Sequence, residues 1–536
     1  MKTSKLYDIL SWAFLGVQIV AEILAGAFLA RLDMLPTLYN VLLIVLAILL
    51  TGGTAALLFV GNHGKKGFLI RRIIGWVLAI LVVVGCVVIS IVVADVYDTL
   101  SGMVDTPPEE DGVIRTVIVL KDDPAQTLAD AAQYKFGIVS NYDSYYTEKA
   151  VEKIQQEIGS QIQIVEMDAV TTLLDALLAK QVDAIIMGQG ILEAAEEIEI
   201  YADLPDKIRF LYDAVIPEQI IDPTEDPSVP NDETTGPEDE TTGPEDETTG
   251  PDVTEPPVVT VPNVTGSITE RPFVVYISGS DSRNKVISSS GRSDVNILVV
   301  VNPQTKQVLL VSTPRDAYVP NPAWGGQMDK LTHCGNNGIN NTIKALEALY
   351  GVSVDYNARI NFTGFEKLID AIGGITVYSP VAFKGGPLDE YEYVKGDNYL
   401  NGAAALAFAR ERYAFTSGDF TRAENQMRVI KAVVNKVTSS PAVIANYSAI
   451  LDSIQGMFTM KGLTMSNIGD LVKMQLTDMA SWEVFSIGVQ GSNSAQYTPW
   501  YPNYKLSVVK LYDSHLSRAT NAINKVLSGE KLTKNP

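Results

Sequence analysis

The sequence predicts an α/β protein carried on a three-helix membrane anchor, and three observations predict it. Three apolar runs of membrane-crossing length open the chain. Short β-branched runs then alternate with helically spaced apolar residues, first in a small region and again in a larger one. A charged, proline-containing repeat separates the two. The expected division is 1–98 for the anchor, 113–217 for a small α/β domain, 218–270 for a linker and 271–536 for a larger α/β domain. A chain of 536 residues has room for it.

The anchor rests on Ile9 to Ala30, Leu38 to Val60 and Ile73 to Ala94, each close to the ~20 residues that cross a bilayer as a helix. A cleaved signal peptide would account only for the first. Lys2 and Lys5 precede the first run, and Lys65, Lys66, Arg71 and Arg72 fill the second loop, while the first loop offers only Arg31. By the positive-inside rule the amino terminus is cytoplasmic and everything after about Asp95 is outside. Glu22 lies inside the first run, where a partner within the bundle is favoured over a functional charge.

In the small domain, Thr116 to Lys121, Phe136 to Ser140, Ile162 to Met167 and Val182 to Gly188 read as buried strands. Val151, Ile154 and Ile158, and then Leu173, Leu174 and Leu177, keep helical spacing between them. Strand and helix in turn predict a largely parallel sheet. The run Leu173 to Met187 loosely resembles one lobe of a periplasmic solute-binding protein. Gly188-Gln189-Gly190 lacks the third glycine of a dinucleotide fingerprint, so a structural or docking module is preferred to a ligand site.

The linker repeats DETTGPE from Asp232 with a seven-residue period and holds no apolar heptad positions, which excludes a coiled coil. Such a composition predicts an extended, self-repelling tether. It also explains much of the net charge of −22, because thirteen acidic residues and no basic ones stand between Asp222 and Glu255. The acidity therefore says little about the folded domains, and nothing points to nucleic acid. Cys86 lies in an apolar run and Cys334 far from it, so the chain is no disulfide scaffold, and three scattered histidines argue against a His-rich zinc site.

The large domain opens with Pro272 to Arg283, a strand emptying into a polar turn, followed by strands at Val295 to Val301 and Gln307 to Thr313. Charged residues collect at their ends: Asp281 and Arg283, Arg292 and Asp294, Arg315 and Asp316. Open α/β sheets place ligand crevices there. Further on, Arg410 and Arg412 lie two apart on a segment read as extended, which sends both to one face. Asp419 is placed to cap a helix from about Phe420, on which Arg422 and Gln426 share a face. Arginines converging from two elements suit phosphate oxygens. The rival reading is a salt-bridged helix with Glu411, Asp419 and Glu424 as partners. Asp281 and Asp294 suit a Mg²⁺ completed by water and phosphate, although either acid alone reads as an ordinary turn residue. The tail reads as a strand at Trp482 to Ile487 and a largely helical Lys505 to Leu527. Tyr497, Trp500, Tyr501 and Tyr504 read as surface packing before sugar contact.

Several motifs in order make this region resemble the LytR-CpsA-Psr family of Gram-positive cell-wall enzymes. They are GSDSR (Gly279 to Arg283), GRSD (Gly291 to Asp294), STPRD (Ser312 to Asp316), KLTH (Lys330 to His333), IGGITV (Ile372 to Val377) and the ARER and GDFTRAENQ block ending at Gln426. The layout of spans, accessory domain and outer domain is similar to the capsule-attaching branch. The resemblance implies a central mixed sheet flanked by helices and a Mg²⁺-dependent phosphotransferase. Such an enzyme moves a glycopolymer from a polyprenyl pyrophosphate carrier onto peptidoglycan through a phosphodiester bond. It implies Asp281 and Asp294 as metal ligands, with Arg412 joining them as catalytic. It implies Arg292, Arg315, Arg410, Arg412, Arg422 and Gln426 as pyrophosphate ligands, with Arg283 and Lys330 beside them. Two rivals stay open: a lipid-pyrophosphate-binding membrane sensor and a pyrophosphate hydrolase. Thr313 before Pro314, and Thr332 and Cys334 around His333, depart from the family pattern. His333 reads either as a general base or, preferably, as a buried structural histidine, and Cys334 as a nucleophile has little support.

Overall fold

A computed structural model describes residues 2–32, 35–61, 66–104, 112–139, 144–195, 198–217, 267–280, 290–386, 390–412, 414–415, 418–439, 450, 457–478 and 480–533. The DETTGPE repeats, Asp281 and Arg283 lie outside these. The chain opens with α1 (Lys2–Leu32), α2 (Thr37–Phe59) and α3 (Lys66–Val104). Leu6–Arg31, Thr37–Phe59 and Phe68–Asp95 are long and apolar enough to cross a membrane. Their outward side chains, among them Trp12, Leu46 and Leu81, are exposed to what would be lipid. Glu22 accepts hydrogen bonds from Gln18 Nε2 at 2.9 Å and from Thr51 Oγ1 of α2 at 2.6 Å, so its partners are inside the bundle. Arg72 of α3 pairs with Asp8 of α1 and donates to Leu58 O, tying all three helices together.

The first sheet comprises β1 (Gly112–Leu120), β2 (Lys135–Val139), β3 (Gln163–Met167), β4 (Ala184–Met187) and β5 (Ile208–Pro217), in the order β3-β2-β4-β1-β5. β2 runs parallel to β3 and β4, but β1 runs antiparallel to β4 and β5. The sheet is therefore mixed where the alternation predicts a largely parallel one. The unexpected strand is β5, an edge strand with only three of its ten residues buried, so it has no unbroken apolar run to announce it. Helix α4 (Ser144–Ile158) buries Tyr146, Ala150 and Ile154 on one face of the sheet. Helix α5 (Val170–Leu178) buries Leu173, Leu174 and Leu177 on the other, next to the short α6 (Gln189–Ala195). A single turn, α7 (Leu204–Lys207), leads into β5.

The second sheet has six strands: β6 (Phe273–Ser280), β7 (Val295–Asn302), β8 (Gln307–Ser312), β11 (Tyr356–Asn361), β16 (Phe458–Lys461) and β17 (Glu483–Gly488). Their order is β16-β11-β6-β7-β8-β17. β6, β7 and β8 alternate in direction, while β11 runs parallel to β6 and β17 parallel to β8, so this sheet too is mixed. The hairpin β9 (Tyr318–Asn321) and β10 (Gln327–Lys330), followed by α8 (Leu331–Cys334), leads to α9 (Ile339–Tyr350). α9 and the helix Asp513–Leu527 cover one face through Ile339, Leu346, Ile523 and Val526. Helix α10 (Phe362–Ala371) follows β11. The pairs β12 (Ile375–Ser379) with β15 (Gly396–Leu400), and β13 (Phe383–Gly385) with β14 (Tyr391–Tyr393), lead into α11 (Gly402–Arg410). Helix α12 (Gly418–Ser439) covers the other face, where Met427 packs with Ile297, Leu310 and Val484. The expected helix from Lys505 shortens to Asp513–Leu527. Lys505 to Leu511 belongs to β19 (Tyr501–Leu511), which pairs with β18 (Gly491–Thr498) and buries Leu506 and Val508 with exposed Ser507 between them.

Candidate functional site

The ends of β6, β8 and β11 and the start of β7 share one edge of the second sheet. The register sets this: Gly279 faces Val295, Ile297 faces Ser312, and Asn361 lies beside Ser280. Asp294, just before β7, donates its backbone N–H to Gly279 O at 2.9 Å. Its Oδ1 accepts from Arg315 Nη1 at 2.8 Å. Arg315 follows β8, and its Nε lies 3.4 Å from Asp316 Oδ2. The other oxygen of Asp316 lies 3.5 Å from Nζ of Lys330, whose side chain is 1% exposed. The peptide here is fixed by Thr332 N–H donating to Arg315 O and Leu331 N–H to Ala317 O, both at 2.8 Å.

Burial alone would raise the Asp316 carboxyl, but Lys330, Arg315, His333 and Arg422 together outweigh it and hold its pKa below the usual value. The inclusion of Arg422 brings α12 to this edge. The structure thus brings Arg315 and Lys330 to Asp316, Asp294 to Arg315 and Arg422 within electrostatic reach, and Asp316 is a residue that sequence reasoning left out of the site. Its signal was present in the STPRD motif, beside Arg315. Asp329 was missed as well: fully buried, it meets His333 Nδ1 at 2.6 Å and accepts from Asn321 Nδ2 at 3.2 Å. Its four-residue spacing from His333 was legible.

The remaining candidates fall as follows. Arg292 lies half-buried two residues before Asp294. Arg410 is the last residue of α11 rather than part of an extended pair with Arg412, because the alanine-rich segment from Gly402 is a strong helix former and Asn401 caps it through Ala404 N–H. The Arg410 guanidinium stacks 4.4 Å over Phe362, at the β11 end of the same edge. Arg412 follows half-buried, between α11 and α12. Arg422 and Gln426 stand one turn apart on α12, as expected. That helix begins at Gly418, so Asp419 falls in its first turn rather than at its cap. Glu424 pairs with Arg428 at 3.0 Å, and Glu411 accepts from Ala414 N–H.

His333 is buried and bonded to Asp329, in keeping with the structural reading. The Cys334 thiol is buried and pushed well above its ordinary pKa, first by desolvation and then by Asp329, which removes it as a nucleophile. Thr313 satisfies its hydroxyl against Tyr350 at 2.7 Å, so this departure from the family pattern is accommodated within the core. Trp500 and Tyr501 are not offered to sugars. Both are buried against the first α/β unit together with Leu506, with Tyr504 partly buried beside them, whereas Tyr497 is exposed under Lys505.

The LytR_cpsA_psr family model matches residues 238–512, just over half of the chain. The chain belongs to the LytR-CpsA-Psr family. Three relatives carry the printed name polyisoprenyl-teichoic acid–peptidoglycan teichoic acid transferase TagU. The one from Enterococcus faecalis is 36% identical over 186 residues, covering 34% of this chain and 60% of that protein. The one from Bacillus subtilis is 39% identical over 166 residues, covering 31% and 52%. The one from Bacillus cereus is 30% identical over 231 residues, covering 43% and 73%. The chain thus spans little more than half the length of the first two. On this LytR-CpsA-Psr chain, the site described above lies wholly within the matched region.

Proposed function

We propose that the chain transfers a glycopolymer from a polyprenyl pyrophosphate carrier onto peptidoglycan, outside the membrane. The observation that carries the reading is the meeting of Arg315 and Lys330 at Asp316, with Arg315 also bonded to Asp294 and Arg422 of α12 acting on Asp316 electrostatically, at one sheet edge. Such a cluster supports a site for linked phosphates, where fixed cations stabilise charge that grows on the leaving group. The names of the TagU relatives support the same substrate class. An acceptor hydroxyl of peptidoglycan forms a bond to the glycopolymer-side phosphorus, the phosphoanhydride P–O bond breaks, polyprenyl phosphate leaves, and the hydroxyl proton passes to solvent water. Asp316, held ionised by its neighbours, is a weak base and acts as a counter-ion that fixes Arg315 and Lys330.

The donor chemistry fits a hard divalent cation, since Asp294 offers a carboxylate beside phosphate-binding cations. Asp281, its expected partner, lies outside the described residues. Asp294 and Asp281 would hold Mg²⁺, which supplies neutralisation of phosphate charge when bound. Arg315, Lys330 and Arg422, with Arg292, Arg410, Arg412, Gln426 and Arg283, would orient the pyrophosphate. The three apolar helices would tether this site at the lipid surface that carries the substrate, and the basic loop before Phe68 supports an extracytoplasmic placement.

The test uses the purified full chain in detergent with Mg²⁺, a lipid-pyrophosphate oligosaccharide and peptidoglycan fragments. Transfer that Asp294→Ala and Arg412→Ala each abolish, with folding intact, supports the proposal. Release of free phosphorylated sugar would replace it with a hydrolase, and binding without turnover with a sensor.

A further inference from the structure

The loop that carries Arg292 and Asp294 is held from both sides, and one side is the first α/β unit. Ile114 N–H, on β1, donates to Ser290 Oγ at 2.9 Å, two residues before Arg292. Arg115, 2% exposed, donates to Asn336 O at 3.3 Å. Asn336 follows Gly335, which in turn accepts the Gly291 N–H at 2.9 Å. The approach of α6 is closer still. A Cβ on Gly190 would lie 2.0 Å from Asn336 Oδ1 and 3.3 Å from Cγ of Arg292, so the absence of a side chain there lets α6 rest against the arginine itself. From the catalytic side, Arg359 donates to Ser290 O and Gly291 O at 3.4 and 3.3 Å. The two units are not loosely tethered at this point. Trp500, Tyr501 and Leu506 complete the core around α5 and α6, Tyr501 donates to Ile191 O, and Trp324 meets Trp500 edge to face at 4.8 Å.

We propose that the accessory unit is a positioning element of the phosphate site: α6, through Gly190, together with the Ile114 to Ser290 bond, holds Arg292 in its pyrophosphate-binding pose. The inference rests on the proposed reading of Arg292 as a pyrophosphate ligand. It gives a physical reason for the missing side chain at Gly190, in the first turn of α6. It also assigns the small domain a part in the transfer chemistry without requiring a ligand of its own. A guanidinium lining a phosphate site contributes only when its fork is aimed, and the long arginine stem has several rotamers to choose from. Packing α6 against the Cγ removes some of that choice before substrate arrives.

The experiment is a double-mutant cycle on the full chain in detergent, with farnesyl pyrophosphate and Mg²⁺ as the probe and calorimetric Kd as the readout. Arg292→Ala and Gly190→Val should each weaken binding about tenfold, the scale of one charge-assisted hydrogen bond, and the double variant should be no weaker than Arg292→Ala alone. Asn336→Ala, which removes the atoms the new side chain would strike first, should restore much of the affinity lost in Gly190→Val. If thermal unfolding shows that Gly190→Val does not fold, Ser290→Ala takes its place in the cycle. Wild-type affinity in the α6 or Ser290 variant, or losses that add to that of Arg292→Ala, would overturn the positioning role while leaving the site reading intact. An unchanged Kd in Arg292→Ala would remove the site reading, and the inference with it.

Discussion

Replacing Arg315 by lysine tests the site at the point where charge and shape can be separated. Arg315 donates Nη1 to Asp294 at 2.8 Å and places Nε 3.4 Å from Asp316, so one planar fork spans two carboxylates. Lysine keeps the charge but offers a single ammonium, which reaches one of the two at a time. The local sum of charge is unchanged, and one charge-assisted contact is lost. Contacts of this kind contribute about 1.5–3 kcal/mol, and the longer arm belongs at the low end, which converts to roughly tenfold in rate. The side chains of Arg315 and Asp294 are 18% and 16% exposed, so solvent screens the effect only in part. Arg315→Ala also removes the charge and leaves two carboxylates facing each other, for a loss of about a hundredfold or more. The assay is kcat/KM for transfer from a lipid-pyrophosphate oligosaccharide, with thermal unfolding in parallel. A lysine variant as active as wild type, or one as impaired as alanine, would refute the argument that a two-armed donor is what this position supplies.

Other outcomes follow from the same contacts. Because the Asp316 pKa is lower folded than unfolded, its contribution to stability is present above the unfolded value of about 3.9 and is lost as pH falls through the folded value. Asp316→Asn should therefore lower Tm near neutral pH but flatten its further fall below about pH 4; an unchanged acid limb would contradict the assigned shift. In a Cys86→Ser background, a maleimide at pH 8 should leave Cys334 unlabelled until denaturant is added, and rapid labelling of the native chain would contradict its burial. Chelation by EDTA should abolish transfer and Mg²⁺ should restore it, whereas activity that survives chelation would exclude the metal proposed for Asp294.

The strands flanked by Asp294 and Arg315 were legible because Ile297 to Val301 and Val308 to Val311 are unbroken apolar runs with charged residues close by. The anchor was legible because hydrocarbon admits few sequence patterns. Arg410 misled because two arginines two apart read equally as an extended face or as a helix end, and the alanines before them decide it only once Asn401 is seen to cap. Lys505 to Leu511 misled because its apolar residues fit both periods until burial picks one. Asp316 and Asp329 were passed over because a carboxylate beside a basic residue looks like a local pair. Only the fold brings Lys330 and Arg422 to the first, whereas the four-residue step from the second to His333 was open to reading. The role of Gly190 was unreadable in principle, since it depends on a contact between two units separated by the repeat segment.

The sheet edge explains how residues over a hundred positions apart meet, and it also constrains how they can work. Both faces of the sheet are sealed by apolar packing, with Leu346 and Ile523 on one side and Met427 on the other, so the field of the charged edge is directed outward between low-dielectric walls. Clustered cations there repel one another, and Asp294 and Asp316 offset this from within. A phosphate oxygen bound at this edge would either take over the Arg315 Nη1 that Asp294 accepts from or use another N–H of the same guanidinium. In the proposed reading Asp294 would then offer its carboxylate to the cation. Asp316, with Arg315 Nε at 3.4 Å on one oxygen and buried Lys330 Nζ at 3.5 Å from the other, would keep Arg315 aimed. On this proposal the two acids would not be interchangeable: Asp294 would face the ligand, and Asp316 would remain the counter-charge between Arg315 and Lys330.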